Sequence, residues 1–279
     1  LCIWFYPSIQ DFMASNTMWN GVRSFREEFN ADTTESLAGL PDLPEGVVLV
    51  AIPYLDYSVD DLSRIKRFVT DGGTLLLMDD YGYGNSVLSY LGLSVRFSNR
   101  PLLDPLFCYR NQWLPRITDL APGVKEAGVN VIVLNHATSL SNADEAEIIA
   151  WSSPASFLDI NEDGSWDEAE PKGPLPVAAR LTLGKGTVVL ASDPSIMINS
   201  MVGRDDNYRF LRYLVSPEGG AKGIVIDSSH LTETPLDVSK ARLVDLREVM
   251  SRPYPLLGLV ALIFVVVSRY TLKMGGSIG

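Results

Sequence analysis

The chain has 279 residues, 46% of them hydrophobic, a formal net charge of −11 and only two cysteines. That balance excludes a disordered chain and is enough for one large or two small packed domains. The acidic excess, with no stripe of Lys and Arg, argues against a nucleic-acid partner, because non-specific affinity for phosphate backbones comes from clustered positive charge. Cys2 and Cys108 form neither a disulfide framework nor a metal-binding spacing.

In chain order, the apolar opening L-C-I-W-F-Y suits a first strand or the tail of a signal anchor. Met18, Val22, Phe25 and Phe29 fall at helical spacing and predict an early amphipathic helix. Val47 to Ile52 is an apolar run of strand length stopped by Pro53. Ser58 with Asp61 forms a capping pair ahead of Leu62, Ile65, Phe68 and Val69, a helix closed by Gly72-Gly73. Thr74 to Met78 is a second buried strand. Asn85 is positioned to cap a short helix carrying Val87, Leu88 and Leu91, ended by Gly92, with a strand at Leu93 to Phe97 beyond it. Strands alternating with helices imply βαβ units, and the expected fold class is α/β, flavodoxin-like, with a mostly parallel sheet flanked by helices.

Asn99 to Gly128 has scattered prolines and no period, and reads as an ordered excursion over the sheet. Strands are predicted at Val129 to Asn135 and Glu147 to Trp151. A hairpin follows over Val177 to Leu183 and Gly186 to Ser192, around Gly184-Lys185. Tyr208 to Leu214 reads as a helix, Gly223 to Asp227 as the last strand and Asp237 to Met250 as the last helix. The domain is thus expected over residues 1–235, with a juxtamembrane helix at 236–253.

Between the Glu147 to Trp151 strand and the hairpin lies D-I-N-E-D-G-S-W-D-E-A-E, Asp159 to Glu170. Oxygen donors stand at positions 1, 3, 5, 7, 9 and 12 and a glycine at 6, the spacing of an EF-hand calcium loop. Asp159, Asn161, Asp163, the Ser165 carbonyl, a water on Asp167 and a bidentate Glu170 would form the shell, Gly164 would allow the sharp turn and Trp166 would pack inward. From Asp144 to Glu170 there are nine acids and no Lys or Arg, which also favours a cation. Calcium is therefore the expected cofactor. Pro154 and Pro171 leave no room for the paired helices of an EF-hand, so the loop reads as a staple and not a sensor.

Tyr254 to Ser268 carries no charge, and the apolar stretch runs on to Leu272 before Lys273. About 20 residues cross a bilayer core, and roughly 17 suffice when end groups snorkel, so a transmembrane helix is expected over 254–273. Lys240, Arg242, Arg247 and Arg252 precede it while Arg269 and Lys273 follow, which by charge alone would put the domain in the cytoplasm. The calcium loop argues for the other side, where calcium is millimolar, and an extracellular domain is the expectation.

Ligands of open parallel sheets bind beyond the carboxyl ends of the strands. Asp56, Asp79, Asp80 and Asp193 each follow a predicted strand there, so with Asn85 they form a possible ligand crevice, one that would hold a divalent cation or a carboxyl group of raised pKa. Helix caps and solvated loop ends account for the same residues. The Gly82-Tyr83-Gly84 turn would cradle an anion or simply turn tightly. His136 and His230, the two histidines, sit in no nucleophile motif, and Cys108 is not on a strand-to-helix elbow. A Ser195/His230/Asp193 triad has no support beyond composition.

The stretch R-F-V-T-D-G-G-T-L-L-L-M-D-D-Y-G-Y-G-N, with L-L-D-P-L-F and later G-K-G-T-V-V-L-A-S-D-P-S-I-M-I-N-S-M, resembles an uncharacterised family of membrane-anchored domains with a class I glutamine amidotransferase-like fold. The resemblance covers roughly Leu1 to His230. It implies membrane segments at both ends, frequent encoding near AAA-type ATPases, and hence a protein partner in a membrane-associated assembly. True amidotransferases carry a cysteine in the turn after the strand equivalent to Thr74–Met78; here the turn reads D-D-Y-G-Y-G, and Asp193 stands where the histidine segment is expected. The resulting expectation is a non-catalytic, membrane-anchored ligand- or protein-binding domain stabilised by calcium. The alternative is a metal-dependent hydrolase using the carboxylate crevice.

Overall fold

The computed structural model describes residues 10–216 and 220–231, together with Ser239 and Leu243. Apart from Ser239 and Leu243, the expected helix at 237–250 lies outside the described residues, as does the span at 254–273; among the described residues no helix is long and apolar enough to cross a membrane.

The centre is an eight-stranded sheet built from β1 (Asp32–Thr34), β2 (Val47–Ala51), β3 (Thr74–Met78), β4 (Asp119–Leu120), β5 (Glu147–Trp151), β6 (Pro176–Leu183), β7 (Gly186–Ala191) and β8 (Gly223–Asp227). Its order is β1-β8-β2-β3-β7-β6-β5-β4. The first five strands in that order are mutually parallel and the last three join antiparallel. Continuous apolar runs are what such a sheet requires, because both its faces are covered. All five residues of β3 are buried.

Within residues 10–231 the described α-helices are α1 (Arg23–Glu28), α2 (Val59–Thr70), α3 (Gly84–Leu91), α4 (Pro122–Glu126) and α5 (Asn207–Leu214). On one face α2 and α3 set Ile65, Phe68, Val87 and Leu88 against Leu49, Leu75, Leu77 and Leu190. On the other, Phe25, Val124, Phe210 and Leu211 meet Val48, Val50, Leu76, Met78 and Val189. The alternation of β3 between the two cores is the period-2 rule of a strand. At α2 the capping pair forms as expected: Ser58 Oγ accepts from Asp61 N at 3.1 Å and donates to Asp61 Oδ2 at 2.6 Å.

Four elements depart from the sequence reading. The early helix is only Arg23–Glu28, since Met18 stands exposed in a turn where Met18 N donates to Asn16 Oδ1. The strand expected at 93–97 shrinks to Arg96–Phe97, paired with Leu140–Ser141 outside the main sheet. The residues it loses are bonded otherwise: Leu93 N donates to Leu88 O at the end of α3, and the Arg96 guanidinium donates to Leu93 O and Val95 O, while Asn85 does not cap α3 and its amide binds Phe97 N and O, each at 2.9 Å. The strand expected at 129–135 keeps only Ile132–Val133, paired with Arg116–Ile117. There the amides of Asn130 and Val131 donate to the Asp206 carboxylate and both backbone groups of Val133 bind the Asn207 side chain. Finally, the excursion over 99–128 contains β4, α4 and two short ribbon strands, Leu102–Leu103 and Arg116–Ile117.

Candidate functional site

The sequence places an aspartate just past β2, β3 and β7, and all these strands end at one edge of the sheet. Asp79, past β3, turns its carboxylate into the glycine turn: Oδ1 accepts from Gly82 N and Oδ2 from Gly84 N, both at 2.7 Å. A Cβ on Gly84 would stand 2.6 Å from Asp79 Oδ2, so the turn needs glycine for this close approach. The glycine turn does cradle an anion, and the anion is Asp79 itself. Burial pushes the Asp79 carboxyl up to about 6, against the lowering effect of those two amides.

Asp193 caps the turn Pro194–Met197: Oδ1 accepts from Ser195 N at 2.7 Å and Oδ2 from Asn135 N at 2.6 Å. Complete burial pushes it up to about 8, with the charge of Asp80 adding to the effect. Asp80 is raised by burial as well, although Tyr81 N donates to it. Ala191 pairs with Met78, and Asp79 N donates to Ala191 O; continuing that register sets Asp193 beside Asp80. By strand alternation both lie on the Met78 face, together with Tyr54 past β2. Burial and the neighbouring Asp80 charge raise the proton affinity of Tyr54 and Tyr81.

Of the five expected crevice residues, only Asp80 and Asp193 therefore face each other. Asp79 is adjacent but committed to its turn. Asp56 is exposed and accepts from Ser86 Oγ at 3.1 Å, and Asn85 is spent on Phe97.

The loop Asp159–Glu170 leaves the ribbon Phe157–Leu158, which pairs with Leu102–Leu103, and no helix flanks it. It folds on its own acids. Asp159, fully buried, accepts from Asp163 N at 3.1 Å and Gly164 N at 2.9 Å. Asp163 Oδ1 accepts from Ser165 N, Asp167 Oδ1 from Ala169 N, and Glu170 Oε1 folds back to Ile160 N at 2.7 Å. Gly164 has φ +79°, which the sharp turn requires. Asp163 and Asp167 each keep one oxygen, both Oδ2, on the Asn161 amide at 3.2 and 3.3 Å. The orientation of that amide is fixed by Asp163 N, which donates to Asn161 Oδ1 at 3.0 Å.

The donor chemistry thus fits a hard cation, although among the described residues no three acidic, His or Cys side chains are gathered closely enough to hold one. Trp166 does not pack inward: it is 43% exposed, its ring lies under Lys172 Nζ at 4.5 Å, and its Nε1 donates to Glu170 O at 3.3 Å.

A third cluster escaped the sequence reading. Asp227, the last residue of β8, accepts from Tyr57 Oη at 2.8 Å and lies 2.7 Å from His230 Nδ1. Its other oxygen accepts from Ser229 Oγ at 2.5 Å. His230 stacks on Tyr57 at 3.6 Å between ring centres, and its Nε2 stands 3.8 Å from Asp61. Burial works against the Asp227 charge, but the bonds from His230, Ser229 and Tyr57 prevail and hold its carboxyl below the usual range. Ser229 and Asp227 both meet the histidine at Nδ1, at 3.0 and 2.7 Å, whereas a nucleophile relay needs them on opposite nitrogens. His230 is thus engaged away from Asp193 and Ser195. Applying the aspartate-after-strand rule to Gly223–Asp227 would have found this cluster.

A family model described as a domain of unknown function, DUF4350, matches residues 14–215. No curated protein matches the sequence. Among solved structures, the mmIFT52 N-terminal domain is similar at 12% identity and TM-score 0.54, over 71% of this chain and 91% of that one. A cytoplasmic protein from Salmonella typhimurium LT2 is similar at 16% identity and TM-score 0.45, over 69% and 84%. The β-galactosidase from Bacillus circulans sp. alkalophilus follows at 15% identity and TM-score 0.38, over 62% of this chain and 23% of the enzyme. At these identities the first likeness speaks for the fold alone.

Proposed function

The chain belongs to the DUF4350 family, and from that premise we propose a non-catalytic, membrane-anchored domain that binds a ligand or protein partner on the extracellular side, within a membrane-associated assembly. One observation carries the reading: at the sheet edge where an amidotransferase-like fold would keep its nucleophile, the polar groups are spent on the fold itself. Asp79 fills the glycine turn, Asp193 caps a turn, and Asn85 holds the Phe97 backbone. Each of these groups is oriented by a backbone partner, which accounts for its presence without a substrate. The uncharged run Tyr254–Ser268 supports the anchor, and the donor set of Asp159, Asn161, Asp163, Ser165, Asp167 and Glu170 supports calcium as the ion that rigidifies the loop.

Calcium binding to the folded state alone raises the melting temperature by mass action. The chain is expected to melt higher in millimolar calcium, and Asp159→Ala is expected to lose that response. An equal response in both proteins, or none in either, refutes the calcium part. Protease accessibility on intact cells decides the side of the membrane. Measurable glutaminase activity lost on a single substitution would overturn the non-catalytic reading.

A metal-dependent hydrolase is the second reading, favoured by one observation: Asp80 and Asp193 lie side by side with raised proton affinity, an arrangement that a divalent cation would relieve. Metal-stimulated ester or phosphoester hydrolysis that disappears in Asp80→Asn would establish it. Unchanged rates in that variant would remove it.

A further inference from the structure

Both segments that lead out of the described body leave from one place. At the amino-terminal side Phe12 is buried and stacks on Tyr54 at 5.4 Å. At the carboxyl-terminal side His230 O accepts from Tyr54 N at 3.1 Å and Leu55 N at 2.9 Å. Tyr54 and Leu55 immediately follow β2, at the carboxyl edge of the parallel strands. The described chain thus begins and ends at that edge, ahead of the uncharged run 254–268 and after the apolar residues 1–6 in sequence.

That edge also carries exposed aromatic and apolar side chains. Ser200 N donates to Trp19 O at 3.0 Å and Asn199 Nδ2 to Met18 O at 2.6 Å, which holds the Met18-Trp19 turn against the segment beyond β7. Trp19 is 65% exposed, and Met18, Leu55, Tyr81 and Tyr83 are exposed beside the ends of β7, β2 and β3. Large apolar groups left in water on one side of a domain mark a contact surface. Trp and Tyr, apolar bodies with a polar tip, are the residues favoured at the boundary between headgroups and acyl chains. The loops that hold them, residues 16–20, 53–56 and 80–83, contain no Lys or Arg, so attraction to anionic headgroups is not the driving force.

We infer that the carboxyl edge of the parallel sheet rests on the lipid surface, with Trp19 and Tyr83 seated at the headgroup boundary of a zwitterionic bilayer. The inference rests on the membrane-anchored reading and adds an orientation to it. The buried carboxylates Asp80 and Asp193 then lie on the membrane side of the domain, while the amino edge, where Leu43 is 88% exposed, points away from it.

The test uses the full chain with Cys2→Ser and Cys108→Ser, bearing one new cysteine as Trp19→Cys, Tyr83→Cys or Leu43→Cys. Each is labelled with an environment-sensitive fluorophore and reconstituted into phosphatidylcholine vesicles containing headgroup-level spin-labelled lipid. Labels at 19 and 83 are expected to shift to the blue and to be quenched several-fold more than the label at 43. Equal quenching at all three positions, or stronger quenching at 43, overturns the orientation. A blue shift at 19 that grows with the protein-to-lipid ratio and escapes the lipid quencher shows a second copy on this edge, and also overturns it. A chain that does not float with vesicles at all refutes the anchored reading itself, which separates the two failures.

Discussion

Replacing Asp193 by Asn tests the electrostatics of the carboxyl edge most directly. In the folded chain Asp193 is completely buried and its pKa is pushed up to about 8, against an ordinary value of 3.8. The folded state therefore holds this proton more tightly than the unfolded state. Its contribution to stability is full below the unfolded value and is lost as pH rises through about 8. At about 1.4 kcal/mol per unit, a rise of roughly four units corresponds to an upper bound of about 6 kcal/mol, comparable with the stability of a whole domain. Asp80 is itself raised by burial, and its charge adds to the rise of Asp193.

Asn has the same shape but no charge to desolvate. Its Oδ1 still accepts from Ser195 N, while its amide NH2 meets the Asn135 N–H in place of an acceptor. The variant should thus be less stable than wild type by about 1–3 kcal/mol at pH 5. The gap should close, and the order reverse, by pH 8. Urea unfolding midpoints of both proteins from pH 4 to 8 provide the measurement. Parallel curves across that window would refute the reasoning, because they would mean that Asp193 gains no proton on folding.

Three further substitutions probe the same edge and its neighbour. Gly84→Ala places a Cβ 2.6 Å from Asp79 Oδ2 and 2.9 Å from Phe97 Cε2, and should cost about 1–3 kcal/mol, read as a fall in melting temperature. An unchanged melting point would show that the Asp79 turn yields freely. Tyr57→Phe removes the hydroxyl that donates to buried Asp227, with an expected loss of about 1–3 kcal/mol near neutral pH. Because the Asp227 carboxyl is held below its usual range, this loss should shrink as pH falls through the carboxylate region, and a difference independent of pH counts against the assignment. Asn207→Ala strips partners from Val133 N, Val133 O and Met201 O together, and should be the most destabilising of the three in denaturant unfolding.

The sequence reading succeeded where local chemistry and burial agree. The Val47–Ala51 and Thr74–Met78 runs, the Ser58 cap and the hairpin around Gly184 each state their structure within a dozen residues, so the parallel half of the sheet could be read directly. Its failures share a cause. At 93–97 and 129–135 the apolar pattern reads as strand, but the Arg96 guanidinium takes Leu93 O and Val95 O and the Asp206 carboxylate takes Asn130 N and Val131 N, which removes the need for a ladder there. A side chain that replaces a strand partner leaves no periodic trace.

The same distinction governs the site. That aspartates gather beyond the strand ends follows from topology, and the sequence therefore reveals it. Which way each one turns depends on register and on the backbone it meets. Adjacent positions on a strand point to opposite faces, so Asp79 and Asp80 could never have shared one crevice once β3 was extended to both. Asp79 went to the glycine turn on the α3 side and Asp80 to Asp193 on the other. The alternation rule needs only residue numbers and strand ends, and carried past the end of β3 it separates Asp79 from Asp80. Carried past β7 as well, it singles out the one pair, Asp80 and Asp193, in which the charge of Asp80 adds to the rise that burial imposes on Asp193.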